Sequence, residues 1–180
     1  MYHAGYEIIS QPDIHHGRKN ADFGQGFYLT PDEEFARRWA RPYKDRDICI
    51  NRYELIIDDL NIHEFERDHE WFDYIFSNRR NKEDKFKEYD VIVGPIANDT
   101  IYDTFGVITS GILEDDTALK LLELGPEYTQ IVIKTDKASK QLRWLDALRL
   151  DDEQTENYRK LTSTEEKEYQ KSFAELLQDI

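Results

Sequence analysis

The sequence of 180 residues is poor in cysteine, in positive charge and in long apolar runs. Its single cysteine, Cys49, cannot form a disulfide within the chain, and we interpret it as a buried strand residue. Lys and Arg number 24 against 38 Asp and Glu, and the formal net charge of −14 argues against a broad phosphate-binding surface for nucleic acid. The sequence contains neither a secretory signal nor an apolar run as long as a membrane helix. We therefore expect a cytoplasmic protein that does not enter a membrane.

The composition is sufficient for one folded domain, because 39% of the residues are hydrophobic and 13% are aromatic. We predict one domain over residues 1–150 and a C-terminal linker with an amphipathic helix over residues 151–180. Ser163 and Glu166 form the pattern of a capping box at the start of that helix. The simpler interpretation packs the helix against the domain, and the alternative is an arm that docks a partner.

Local patterns predict an alternation of strands and helices along the chain. The predicted strands are residues 1–6, 27–30, 48–57, 89–95 and 128–134. The predicted helices are residues 68–78, 100–111, 116–124 and 136–145, with a further helix that begins at Pro31 and has Thr30 as its cap. Residues 59–63 are predicted to form a loop. The apolar run before Gly94 predicts a central strand that is covered on both sides.

The segment from Asp22 to Ala40 combines a glycine turn, a short strand and a helix. Gly24 and Gly26 permit a tight turn and the close approach of a flat ligand, because neither has a Cβ atom. Together with the N-terminal YHAG, the segment GQGFYLT resembles the first two motifs of the ADP-ribosyltransferases, including the poly(ADP-ribose) polymerases. Gln130, in YTQIVIKT, stands at the third motif. The pattern is most similar to a bacterial family of small transferase-like domains with an H-Y-Q signature.

The resemblance extends from Tyr2 to about Leu145 and implies an α+β fold with split antiparallel β-sheets and flanking helices. It implies transfer of one ADP-ribose unit from NAD to a macromolecule, with NAD as a substrate and no metal. The acidic charge balance favours protein over nucleic acid as the acceptor. It also implies a bacterial toxin that is restrained by a small cognate antitoxin protein. A modifier of nucleic acid is a further alternative.

The resemblance assigns roles to residues that lie far apart in the sequence. His3 would bind the adenosine ribose, and the main chain at Ala4 would bind the nicotinamide amide. Tyr28 and Trp39 would enclose the nicotinamide ring, and Gln130 would position the ribose at the bond that breaks. Each has an ordinary structural interpretation as well: a half-buried histidine, two core aromatics and a polar strand residue.

Further residues complete the predicted site. Phe23 would line the edge of the nicotinamide slot, and Arg18 is either a ligand of the pyrophosphate or a solvated loop residue. Tyr128 occupies the place where relatives carry a target-recognising residue. Asp99 is either an acceptor-binding residue or a helix cap. The histidines and acidic residues between positions 63 and 73 lack zinc-binding spacing, so we expect no metal.

Gln130 departs from the glutamate that most such transferases carry at this position. A neutral amide orients the ribose but supplies only a dipole to the developing positive charge. An alternative function is therefore a catalytically weak or inactive module that binds NAD or ADP-ribose.

Overall fold

The computed structural model describes residues 1–40, 46–98 and 115–178. Asp99 and the helix predicted over residues 100–111 lie outside the described residues. Within them the strands are β1 (Tyr2–Gly5), β2 (Phe27–Leu29), β3 (Cys49–Leu55), β4 (Ile62–Glu64), β5 (Val91–Pro95), β6 (Thr129–Ile133) and β7 (Leu142–Arg149). The helices of the same part of the chain are α1 (Glu33–Trp39), α2 (His69–Arg79), α3 (Asp115–Glu123), α4 (Asp136–Gln141) and α5 (Asp152–Gln178). None of these described helices is both long and apolar enough to cross a membrane.

The strands form two sheets, and the α+β class is confirmed. A three-stranded antiparallel sheet has the order β1-β3-β7, and a four-stranded sheet has the order β2-β6-β5-β4, in which only the β4–β5 pair is parallel. The sheets meet where Tyr2 and Thr30 exchange two backbone hydrogen bonds, of 2.8 and 2.9 Å. This junction places the N-terminal strand beside the strand that follows the glycine turn.

Strand β5 and helix α2 contribute buried side chains to the core, as their sequence patterns predicted. The β5 strand lies between β6 and β4, and Val91 and Ile92 are buried, as the prediction of a central strand required. Helix α2 buries Trp71 and Ile75, and the Asp68 side chain caps it by accepting a hydrogen bond from the Trp71 N–H. Ile92, Trp71 and Ile75 belong to one hydrophobic cluster, so α2 packs against the central strand.

Two predictions of local structure are wrong. The helix predicted over residues 136–145 ends at Gln141, and Leu142–Arg149 forms β7, which pairs with β3 along its whole length. The loop predicted over residues 59–63 contains the first part of β4, which pairs with β5. In both segments the neighbouring strand offers backbone hydrogen bonds that a local pattern does not reveal.

Two helix starts are also displaced. Helix α1 begins at Glu33, and its cap is Asp32, whose side chain accepts a hydrogen bond from the Phe35 N–H, rather than Thr30. Helix α5 begins at Asp152, so there is no separate linker and Ser163 does not start the helix. The simpler interpretation of this segment is confirmed, because its buried Tyr169 and Phe173 join the main hydrophobic core.

Candidate functional site

One cleft brings together most of the residues that the sequence singled out. It has a volume of about 270 Å³ and lies beside the junction of β1 and β2, with α1 on one side and Gln130 of β6 on another. The predicted residues that line it are His3, Ala4, Arg18, Tyr28, Trp39 and Gln130. Residues far apart in the sequence therefore converge on one concave surface, which is the usual form of a small-molecule site.

His3 presents a neutral imidazole in this cleft. Its Nδ1 lies 2.8 Å from the carbonyl oxygen of Tyr28, and because a carbonyl only accepts, Nδ1 carries the proton and donates. Loss of water contact lowers the pKa of His3, against the smaller opposing effect of that hydrogen bond. The ring stacks on Phe27 with centroids 4.5 Å apart. His3 is thus held in one tautomer, with a lone pair on Nε2.

Tyr28 offers its ring to a ligand, because its hydroxyl group is already engaged. The hydroxyl donates to the carbonyl oxygen of Gly24 at 2.7 Å and accepts from the Phe23 N–H at 3.0 Å. Burial is the main cause that raises the pKa of Tyr28 far above its ordinary value, and the nearby Asp22 charge adds to it. The phenol is therefore a neutral structural group, and its aromatic face is the part suited to packing against a flat ring.

Gln130 is oriented by the main chain of the neighbouring strand. The side chain belongs to a residue that is only 5% exposed, and its Nε2 donates to the Pro95 carbonyl oxygen at 3.2 Å. This contact assigns the amide, since only the nitrogen end can donate to a carbonyl. The oxygen Oε1 has no hydrogen-bond partner in the described part of the chain. The site therefore contains an oriented acceptor at the position of the third motif.

Helix α1 supplies the opposite wall. Trp39 is 41% exposed, and its ring packs edge-on against Phe35 at 5.1 Å. The Tyr128 ring stacks on the same Phe35 ring, with centroids 4.0 Å apart, and the Arg38 guanidinium carbon lies 5.5 Å from the Tyr128 centroid. Tyr128 is not among the residues that line the cleft. The position of Tyr128 therefore does not support its predicted role in recognising an acceptor. Arg18, in contrast, is exposed and lines the cleft.

Phe23, Gly24 and Gly26 are not among the residues that line the cleft. Phe23 is 0% exposed and packs against Phe65 and Tyr74, so the prediction that it lines the slot is wrong. Gly24 has a φ of +73°, which disfavours any residue with a Cβ. A Cβ on Gly26 would lie 2.6 Å from the carbonyl oxygen of Ile133, so β2 approaches β6 this closely only with glycine there.

Asp22 also lines the cleft, and the sequence analysis assigned it no role. Its carboxylate oxygen Oδ1 accepts from Nε of Arg79 at 2.8 Å, and the Arg79 and Asp22 side chains are 3% and 10% exposed. An acidic residue immediately before a glycine turn is the only local signal for such a site. The arginine lies on α2, and no sequence pattern predicts that pairing.

Comparisons with known proteins give a family but no activity. A family model described as "Protein of unknown function (DUF3990)" matches residues 1–144. Neither a curated protein nor a solved structure matches the chain. Within the described residues, no group of three or more His, Cys, Asp or Glu side chains is placed to hold a metal ion.

Proposed function

Since the chain belongs to this family of proteins of unknown function, we propose from its cleft that it is a mono-ADP-ribosyltransferase that uses NAD. The observation that carries the proposal is the convergence of His3, Tyr28 and Gln130 on one cleft. Three residue types in a sequence motif are weak evidence by themselves. The proposal requires that the three residues lie together in one cleft, and His3 of β1, Tyr28 of β2 and Gln130 of β6 do so.

The proposed nicotinamide slot lies between Tyr28 and Trp39. Tyr28 is suited to it because both of its hydroxyl interactions are internal, so ligand binding need not break them. Trp39 is exposed enough to pack on a second ring face. The cleft volume of about 270 Å³ is slightly smaller than typical small-molecule sites, which are roughly 300–1,000 Å³. We expect the nicotinamide riboside half of NAD inside, with the adenosine half extending across His3.

Gln130 is the proposed contact for the ribose. Cleavage breaks the bond between the ribose C1′ and the nicotinamide nitrogen, the bonding electron pair leaves with nicotinamide, and positive charge develops on the ribose. The oxygen Oε1 would accept from a ribose hydroxyl, while Nε2 remains on Pro95. A carboxylate about 4 Å from a unit charge would contribute on the order of 4 kcal/mol at an effective dielectric of 20, so the amide gives weaker catalysis.

The remaining parts of the proposal rest on the resemblance to ADP-ribosyltransferases. They are the split-sheet fold of that superfamily, a protein acceptor, action as a bacterial toxin in the cytoplasm and restraint by a small cognate antitoxin. The two observed sheets, joined at Tyr2 and Thr30, are compatible with this fold.

A second candidate function is binding of NAD or ADP-ribose without transfer. It is favoured by the neutral amide at Gln130 and by the pairing of the Asp22 carboxylate with Arg79. Both features reduce the negative charge that the cleft offers to a developing cation.

The test is nicotinamide release from NAD by the purified protein, with binding of NAD measured by calorimetry. His3→Ala and Gln130→Ala are compared with His16→Ala and Gln170→Ala, which alter exposed residues that do not line the cleft. Release that is lost only in the first pair supports the transferase. Binding without release supports the second candidate, and release undiminished in all four variants excludes this cleft.

The acceptor is identified with labelled NAD in a lysate that is divided and treated with protease or with nuclease. Loss of high-molecular-weight label only after protease is the expected result. Loss only after nuclease would overturn the protein acceptor.

A further inference from the structure

A buried charged group lies behind the glycine turn, on the side away from the cleft. The ammonium group of Lys134, which follows β6, donates to the carbonyl oxygen of Phe23 and, at 2.8 Å, to Asp84 Oδ2. The Lys134 and Asp84 side chains are 5% and 25% exposed. Neither residue is among those that line the cleft.

The same turn holds Tyr28 from its other side. The Phe23 N–H donates to the Tyr28 hydroxyl, which in turn donates to the carbonyl oxygen of Gly24. Lys134 therefore binds the carbonyl of the very residue whose N–H binds Tyr28. A continuous chain of hydrogen bonds leads from Asp84 through Lys134 and the turn to the aromatic wall of the cleft.

Further contacts surround the Asp84 and Lys134 side chains closely. The Tyr74 hydroxyl donates to Asp84 Oδ1 at 2.8 Å, and the Asp84 Oδ1 also accepts from the Phe86 N–H at 3.0 Å. A Cβ on Gly24 would lie 2.9 Å from Nζ of Lys134. The ammonium group therefore lies directly against the turn at Gly24 while it donates to Phe23 and Asp84.

We propose that Lys134 is a positioning residue that sets the Tyr28 ring at the angle the nicotinamide slot needs. This inference rests on the proposed function, because it takes the Tyr28 ring as one wall of that slot. Lys134 acts through the main chain of Phe23 and touches no ligand itself. A positive charge is suited to the task, since a charged donor holds a carbonyl more strongly than a neutral one.

The test replaces Lys134 with methionine, which keeps an unbranched side chain that is one heavy atom shorter and removes the donor. Asp84→Asn is a milder second variant, and Lys87→Met, at a side chain that is 58% exposed, is the matched control. Dissociation constants are measured for nicotinamide and, separately, for ADP-ribose. A fluorine NMR spectrum of protein labelled with 3-fluorotyrosine reports on the Tyr28 ring without any ligand, with its signal assigned by Tyr28→Phe.

We expect Lys134→Met to weaken nicotinamide binding about tenfold, to leave ADP-ribose binding unchanged and to shift the Tyr28 signal. Asp84→Asn should act in the same direction to a smaller extent, and Lys87→Met should match the wild type. An unchanged Tyr28 signal, or equal weakening of both ligands, overturns the role of Lys134. If wild-type protein binds neither ligand, the proposed function fails, and the Tyr28 signal alone then decides whether Lys134 positions the ring.

Discussion

The two walls of the cleft are held by different kinds of interaction. The glycine-turn wall, residues 22–28, is supported by the Arg79–Asp22 and Lys134–Asp84 pairs, whose lysine and arginine side chains are at most 5% exposed. The helix wall, α1, is held against α5 by the Arg38–Glu165 pair, with side chains 20% and 31% exposed. Thr162 adds a hydrogen bond to the Arg38 carbonyl at 3.2 Å.

This difference predicts different behaviour of the two walls. Buried charges that lose their partners destabilise a fold strongly, so the glycine-turn wall is committed to one geometry. Partly exposed pairs are weakened by solvent screening, so α1 can adjust by a small amount at little cost. We infer a cleft with one fixed face, carrying Tyr28, and one adaptable face, carrying Trp39.

The largest expected effect follows from breaking the Arg79–Asp22 pair. Arg79→Met removes the guanidinium that pairs with the buried Asp22 carboxylate, which should reduce the free energy of unfolding by about 3–5 kcal/mol. Denaturant unfolding measures it, with Arg143→Met as the control, because that arginine pairs with Glu54 at the surface. Equal losses in the two variants would mean that the buried Arg79–Asp22 pair stabilises the fold no more than a surface pair does.

Tyr28→Phe separates the hydroxyl from the ring. The change leaves the Phe23 N–H and the Gly24 carbonyl without this partner and should reduce the free energy of unfolding by about 1–3 kcal/mol. Nicotinamide binding should weaken to about the extent expected for Lys134→Met, because the lost hydrogen bonds are the ones that hold the ring. Tyr158→Phe, which alters an exposed hydroxyl contact to Glu34, is the control. Normal stability with lost nicotinamide binding would mean that the hydroxyl contacts the ligand.

On the helix wall, Glu165→Gln weakens the link between α5 and α1. We expect it to lower the free energy of unfolding by no more than about 1 kcal/mol. The fluorescence of Trp39, taken as the difference from Trp39→Phe protein, should nevertheless change as α1 shifts. Glu168→Gln, at an exposed position of α5, should leave both quantities unaltered. A loss as large as that of Arg79→Met would show that this wall is fixed too.

The smallest effect concerns pH and His3. Its pKa is lowered in the fold by loss of water contact, so below the unfolded value of 6.5 the unfolded chain binds a proton that the folded chain resists. Stability should therefore decline as the pH falls from 6.5 toward the folded pKa. His3→Gln should reduce this decline in unfolding experiments at pH 7.5 and 5.5, while His16→Gln should not. A decline that is identical in both variants would contradict the lowered pKa of His3 in the folded protein.

Features that depend on neighbours in the sequence could be predicted. The glycine turn, β2, the helix after it, α2 and the central β5 strand all follow from local spacing, and they appear in the structure. The predictions were wrong for β4 and β7, whose backbone hydrogen bonds are made with β5 and β3. A strand that is specified by its partner contains too little local information to be recognised alone.

By itself the sequence determined the residue types available to the cleft and the turn that brings Gly24 and Tyr28 close together. Only the tertiary structure decided that Phe23 faces the core, that Oε1 of Gln130 is the end left open, and that charged residues from distant segments hold the turn. The reason is physical, because burial and ion pairing are properties of segments that meet in space. Arg79 binds Asp22 across 57 positions and Lys134 binds Phe23 across 111.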